Sequence, residues 1–418
     1  MGLLKRSSIY LLSNILNALV PFLLLPVLTR YLTPDEYGQI AMFQTLITGL
    51  AALTGVNAVG AANRKFYDKH DCSSLAQFNG TCLHILLLSS LTLGVFCFFL
   101  STEVSQWLNI PTTWVYLALI ISSANFIIQF RLGQWQIREN AVSFGVMQVS
   151  QSVLVLILSL GLIVGLQQGA SGRVDALMVT SVVYAGLGLL LLYRDRLLVL
   201  LPLKKAFFKE ALSFGGLLVP HVVGIFLLSS IDRFFINRQL GVAEAGIYML
   251  GVQLSLGMAV VFDAINKALV PWLFRTLSDN NPHQLQRLVK LTYLFFVIVS
   301  GLGALSFIVG PWVVTWVAGA EYQRATTVIG WLCFGQAFGG MYLMVANYIF
   351  YARRTGALSA VTISTGLLNI ALLVYLIEHM GIVGVAMAFA ISMCIRFFAT
   401  WWLASRVSAV SWRITYKK

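Results

Sequence analysis

The chain alternates between long apolar runs and short polar connections. Runs of membrane-spanning length centre on residues 9–31, 40–61, 80–101, 113–132, 143–165 and 174–193. Six more centre on 212–236, 246–270, 290–312, 326–350, 357–377 and 382–403. About 20 apolar residues suffice for a helix to cross roughly 30 Å of hydrocarbon. Every backbone N–H and C=O must be paired internally in that medium, so the runs are read as helices. The pattern predicts an all-α polytopic membrane protein with twelve transmembrane helices. The connection 196–211 is basic and contains Pro202. It reads as a linker between an N-terminal six-helix lobe, 1–195, and a C-terminal six-helix lobe, 212–418. The two lobes are expected to be pseudo-symmetric around a central cavity.

One junction anchors this reading. Residues 17–38 read NALVPFLLLPVLTRYLTPDEYG. Pro21 and Pro26 interrupt the hydrogen bonding of the first run, and Arg30 ends it. Thr33 suits an N-cap, Pro34 the first helical position, and Glu36 the far side of a capping box. A shift of 208 residues sets Arg30-Tyr31-Leu32 against Arg238-Gln239-Leu240, Glu36 against Glu244 and Gly38 against Gly246. Six predicted helices separate the two turns. The halves are therefore expected to have parallel topology, related by an axis along the membrane normal.

Composition removes other classes. The chain of 418 residues is 59% hydrophobic and only 10% charged, where soluble domains carry about 25% charged residues. The net charge of +13 does not point to nucleic acid, because its distribution follows the connections. With the N-terminus set in the cytoplasm, five of the 28 Lys and Arg fall outside: Arg30, Arg173, Arg233, Arg238 and Arg324. Lys267 and Arg396 lie inside predicted helices, and the remaining 21 are cytoplasmic. The positive-inside rule then puts both termini in the cytoplasm. Lys5 and Arg6 precede an apolar run too long for a signal-peptide core, so it is read as an uncleaved first span. The five cysteines are scattered and read as packing residues rather than disulfides or metal ligands. No Walker motif, metal-ligand spacing or catalytic outer loop is present in the sequence. No enzyme activity, metal or cofactor is expected.

Charges inside membrane helices are costly, so each needs a reason. Asp263 and Lys267 stand four apart on one helix face, as a self-neutralising pair or as part of a site. Arg396 sits about two turns inside the last helix. Arg30 and the Asp232-Arg233 pair lie at equivalent ends of the first and seventh helices. Snorkelling to the headgroups is the alternative reading for these. Cations outnumber anions in this set, and guanidinium groups bind phosphates in a bidentate way. An anionic ligand such as a pyrophosphate is therefore favoured. Tyr10, Asn14, Asn17 and Pro21 share a face of the first helix. Gln148, Gln151 and Ser152 mark the fifth, and Gln129, Gln134 and Gln136 continue the fourth. These read either as helix–helix hydrogen bonds or as the wall of a hydrated, sugar-holding cavity. Pro21, Pro26, Pro220 and Pro271 permit bends that rocking bundles need. His221 is a candidate proton site or a packing residue. Arg138 and Arg353 echo each other across the duplication.

The string LLPVLTRYLTPDEYG resembles the first outer turn of the polysaccharide-biosynthesis (Wzx-type) flippases, within the multidrug/oligosaccharidyl-lipid/polysaccharide exporter superfamily. The likeness spans the whole chain in length, helix number and basic middle connection. It implies translocation of an undecaprenyl-pyrophosphate-linked oligosaccharide, such as an O-antigen repeat unit of lipopolysaccharide, across a bacterial inner membrane. It implies two lobes around a cationic cavity, with Arg30 carried over by the matching string and Arg396 by helix position. The site expectation is that Arg30, Lys267, Arg396, Arg233, Asn14 and Asn17 bind substrate. Asp263, Asp232, Pro21 and Pro26 are expected to couple or gate. The energy source is the membrane potential, or a proton or sodium gradient. Membrane lipids, a glycan polymerase and a chain-length regulator are the expected partners. A small-molecule or drug antiporter, and a non-transporting scaffold for glycan assembly, are the alternatives. The first 34 residues contain no acid, which argues against a cationic drug.

Overall fold

A computed structural model of the chain describes residues 3–67, 72–279, 281–352, 354–407 and 412. Among these residues all regular structure is helical, and eleven helices are long and apolar enough to cross a membrane. The first is α1 (Leu3–Tyr31), followed by α2 (Pro34–Leu53), α3 (Ala58–Lys65), α4 (Cys72–Leu108) and α5 (Thr112–Ile137). Next come α6 (Ala141–Leu160), which ends in a π turn, α7 (Gly169–Arg194), α8 (Lys205–Ser229) and α9 (Ile231–Leu240). The chain closes with α10 (Val242–Asp279), α11 (Pro282–Val317), α12 (Thr326–Tyr351) and α13 (Thr355–Val407). The described residues form two compact units. One is Met1–Phe226 with Gly241–Gly246, and the other is Leu227–Leu240 with Ile247–Lys418.

Surface chemistry fits a lipid solvent. On α4, Leu87, Leu91, Phe98 and Phe99 are each more than 60% exposed. Such a stripe in water would be an aggregation site, whereas in hydrocarbon it costs nothing. Trp312 and Trp316, on the last turns of α11, are 76% and 84% exposed. Amphipathic aromatics of this kind favour the membrane interface. The chain is a multi-pass membrane protein.

The junction after α1 folds as its sequence dictates. The Thr33 backbone N–H donates to Glu36 Oε2 at 3.0 Å, and the Glu36 N–H donates to Thr33 Oγ1 at 3.3 Å. The capping box is complete, with Pro34 at the first position. Pro21 and Pro26 do not divide α1, which stays one helix through both.

Four predicted spans differ in detail. The run at 40–61 is two helices, because the chain leaves the helical path between Leu53 and Ala58. The run at 212–236 is also two, α8 and α9, separated at Ser230. The last two runs form one 53-residue helical stretch with a single non-helical residue, Gly381, at φ 58° and ψ −139°. A Cβ on Gly384 would lie 2.2 Å from the Leu376 carbonyl oxygen. A straight helix would hold those residues about 12 Å apart, so the chain turns back on itself at Gly381.

The first turns of α2 and α10 meet. A Cβ on Gly38 would lie 1.9 Å from the Val242 carbonyl oxygen, and a Cβ on Gly246 would lie 2.2 Å from the Pro34 carbonyl oxygen. The same 208-residue shift that aligns Gly38 with Gly246 aligns Pro34 with Val242. It therefore carries each contact onto the other. Only glycine lets the first turns of α2 and α10 approach so closely. Gly38→Leu forces the two backbones apart and should cost about 1–3 kcal/mol, visible as a lowered thermal midpoint of the detergent-purified protein. Gly301→Ala, with nothing within 4 Å of its Cβ position, should leave the midpoint unchanged.

Candidate functional site

Within the first unit, the break in α2 is the least regular point of a spanning segment. Thr54–Asn57 form a short 3-10 turn in which Gly55, Val56 and Asn57 all have positive φ, at 68°, 45° and 52°. A β-branched residue such as Val56 adopts this region only under constraint. Such positions cost about 1–3 kcal/mol each and persist where the surroundings enforce them. The surroundings here are specific. The Gly55 N–H donates to Ser89 Oγ at 2.8 Å, and the Phe126 ring packs against the Gly55 Cα. The Val56 carbonyl fills the space that a side chain on Gly215 of α8 would need. Beside the break lies a cavity of about 280 Å³, lined by Thr54, Asn57, Ser122, Asn125, Phe126 and Gln129 among others. Non-helical backbone in a spanning segment is tolerated where it is buried in protein or lines a cavity that water can enter; here Thr54 and Gly55 are buried and Thr54 and Asn57 line the cavity.

The other predicted residues of this unit do different work. Arg30 is exposed at the end of α1 and, among the described residues, makes no hydrogen bond or ion pair. Asn14 and Asn17 face α6. Gln148 Nε2 donates to Asn14 Oδ1 at 3.2 Å, and Ser152 Oγ donates to Asn17 Oδ1. Tyr10 meets Phe144 edge to face at 5.0 Å on the same seam. Helix–helix bonding, the first of the two readings of this face, describes these contacts.

The second unit holds the deeper charges. Asp232 on α9 is buried and accepts from the Tyr248 hydroxyl and from the Arg233 backbone N–H, both at 2.8 Å. Arg233 is buried beside it, with no hydrogen-bond partner at Nε. On α10, Lys267 Nζ lies 2.6 Å from Asp263 Oδ2, one turn apart and half exposed. One turn-step between them, Asn266 Oδ1 accepts from Asn347 Nδ2 of α12 at 2.7 Å. Arg396 on α13 lays its guanidinium 3.7 Å from the centre of the Tyr342 ring, and its Nε has no partner. The structure therefore pairs Lys267 with Asp263 and sets Arg233 beside Asp232. Arg396 keeps its charge facing no carboxylate among the described residues.

Several buried polar groups were not singled out by sequence. Arg131 of α5 is 1% exposed, stacks on Trp135 at 4.0 Å and donates to Asp195 beyond α7. Arg173 of α7 donates from Nη1 to Ser159 Oγ at 2.6 Å. Lys65 of α3 is buried against Glu210 of α8 at 2.7 Å. In sequence these were simply connection charges. Their signal was a cation drawn just inside a run with an acid near the start or end of another. Asn57 and Asn125 likewise carried no mark of their own beside the helix break. Among the described residues no three His, Cys, Asp or Glu side chains are grouped to hold a metal ion. Arg353, Arg413, Lys417 and Lys418 lie outside the described residues, as does the side chain of His221.

These features define a class first. A multi-pass chain whose described residues are helical and form two compact units, with a spanning helix interrupted beside a cavity, has an architecture that membrane transporters use. Comparison with known proteins then gives the family. The description "Polysaccharide biosynthesis protein" matches residues 3–277, and the chain belongs to that family. An uncharacterized membrane protein of Haemophilus influenzae is 29% identical over 365 residues, 86% of each chain. A second Haemophilus influenzae protein, named for the Lsg locus, is 25% identical over 92% of this chain and 95% of its own. Among solved structures, the lipid II flippase MurJ in an inward closed conformation superposes with a TM-score of 0.76 at 13% identity, covering 96% of this chain and 87% of that one. An inward-facing multidrug MATE transporter gives 0.69 at 16% identity, over 93% and 95%. These neighbours share the two-lobe fold.

Asp195→Asn should leave Arg131 buried and hydrogen-bonded but without its counter-charge, while Asp195 itself is half-exposed. A loss of about 1–3 kcal/mol is expected, read as a lower thermal midpoint. The conservative change Asp195→Glu should recover part of it.

Proposed function

We propose that the protein translocates an undecaprenyl-pyrophosphate-linked oligosaccharide, an O-antigen or similar repeat unit, from the cytoplasmic to the periplasmic leaflet of a bacterial inner membrane. Alternating access carries it. Both termini are cytoplasmic in this reading, which the asymmetry of Lys and Arg supports. The observation that carries the proposal is the interrupted α2 beside a cavity that presents the carboxamides of Asn57, Asn125 and Gln129, in a chain of the polysaccharide biosynthesis family. Enzymes that build glycans need reacting groups at a catalytic centre. A carrier of glycans needs a polar path through hydrocarbon and a way to open it at alternate ends. The shared fold with a structure named as a lipid II flippase supports the same reading.

Chemistry assigns the parts of such a substrate. The diphosphate is drawn to cations that are not neutralised, foremost Arg396, whose guanidinium edge is free while its face rests on Tyr342. Lys267 serves second, exchanging Asp263 for phosphate. The isoprenoid tail stays in the bilayer. The outward passage of roughly two negative charges down about 100 mV supplies about 5 kcal/mol, so the membrane potential is the driving force. The first turns of α2 and α10, held together at Gly38 and Gly246, must part for release. A glycan polymerase and a chain-length regulator then take the product.

Deletion should leave lipid-linked oligosaccharide accumulating on the cytoplasmic face, measured by lipid extraction and protection from externally added glycosidase. Arg396→Ala should lower surface glycan about tenfold or more, as loss of a charge-assisted bond would, with Arg396→Lys intermediate. Collapsing the membrane potential at constant pH gradient should stop flipping in vesicles; unchanged flipping would exclude the potential as the energy source.

A further inference from the structure

Three carboxamides beside the α2 break bond to no protein group among the described residues. Asn57, Asn125 and Gln129 all line the cavity of about 280 Å³. Each amide carries two N–H donors and an acceptor oxygen. The other polar liners are already used. Thr54 Oγ1 donates to the Leu50 carbonyl at 2.8 Å. Ser122 Oγ faces the Ala118 and Ile47 carbonyls at 2.8 and 3.1 Å. The three free amides come from two different segments, the unwound turn of α2 and one face of α5 at four-residue spacing. None of the three is buried, so each amide is open to whatever occupies the cavity, and the strained backbone of Gly55–Asn57 sets Asn57 at the same cavity as the two amides of α5.

The lining also says what the cavity does not take. It contains no Lys or Arg, so it offers a phosphate no counter-charge. It contains no Asp or Glu, so it offers a cation none either. A purely apolar guest would strip water from the three amides and leave them unpaired, at a cost. An uncharged ring with several donors and acceptors fits, its polar groups to the amides and its C–H face to the wall formed by Phe126, Ala52 and Val222. The volume is just below the range of about 300–1,000 Å³ typical of drug-sized ligands, so it accommodates one ring rather than a whole oligosaccharide.

We propose that this cavity binds one uncharged sugar ring of the carried glycan, with Asn57, Asn125 and Gln129 bonding its hydroxyl or acetamido groups. The proposal rests on the flippase reading above. It divides recognition of the substrate between a neutral subsite in the first unit for sugar and unneutralised cations elsewhere for diphosphate.

The test compares two lipids on full-length protein in lipid nanodiscs, by titration. One is bare undecaprenyl pyrophosphate. The other is the lipid-linked oligosaccharide extracted from cells lacking the protein. The wild type should bind the glycosylated lipid about tenfold tighter than the bare one. Asn125→Ala and Gln129→Ala should each cut that advantage about three- to tenfold, with affinity for the bare lipid unchanged. Gln129 is exposed, so its variant keeps the test sound should Asn125→Ala fail to insert. If the wild type binds both lipids equally, or the variants weaken both alike, the sugar subsite is refuted while the flippase reading stands. If neither lipid binds the wild type, both fall together.

Discussion

Hydrocarbon offers no partner to a backbone N–H or C=O, and the architecture follows from that. Each long apolar run closes its own hydrogen bonds as a helix. Departures from helix are then confined to places where something else supplies the missing bonds or water can reach. The break at Thr54–Asn57 is such a place. Ser89 takes up the Gly55 N–H, Phe126 and Gly215 close in on the turn, and a polar cavity lies on its flank. The two prolines of α1 show the opposite case. They remove donors, yet α1 remains one helix, because a missing donor does not force the chain off its path as three successive positive φ values do.

Charge is handled with the same economy. Lys267 carries its own carboxylate one turn away, and the Asp232 carboxylate is covered by a tyrosine hydroxyl and a backbone N–H. Arg131 and Lys65 are buried against acids on neighbouring segments. Arg396, resting on the face of Tyr342, and Arg173, bonded to the Ser159 hydroxyl, have no carboxylate partner among the described residues. The α2 cavity contains no charged liner at all.

Much of this was legible in the linear pattern. The helices stand where the apolar runs predict them, and the Thr33 capping box forms as written. The polar face of α1 was visible at spacings of four and three, but its partners Gln148 and Ser152 on α6 were not, because periodicity along one helix does not name the neighbour it meets. The break in α2 was not visible. Thr54-Gly55-Val56-Asn57 is a short dip inside a run that stays apolar enough to span, and a single glycine in a membrane helix is ordinary. What forces the turn is tertiary, the approach of Phe126 and of α8. The partners of Arg131 and Lys65 were hidden for the same reason, since Asp195 and Glu210 are distant in sequence. The site thus depends on contacts that no local window contains.

The reciprocal contact of Gly38 and Gly246 has a consequence for what either position can become. Each glycine faces the main-chain carbonyl four residues before the other, so neither close approach is cushioned by a side chain that could move aside. A Cβ added at one position presses on backbone that the other position also needs. The two glycines are therefore constrained together, and the first turns of α2 and α10 tolerate a side chain at neither.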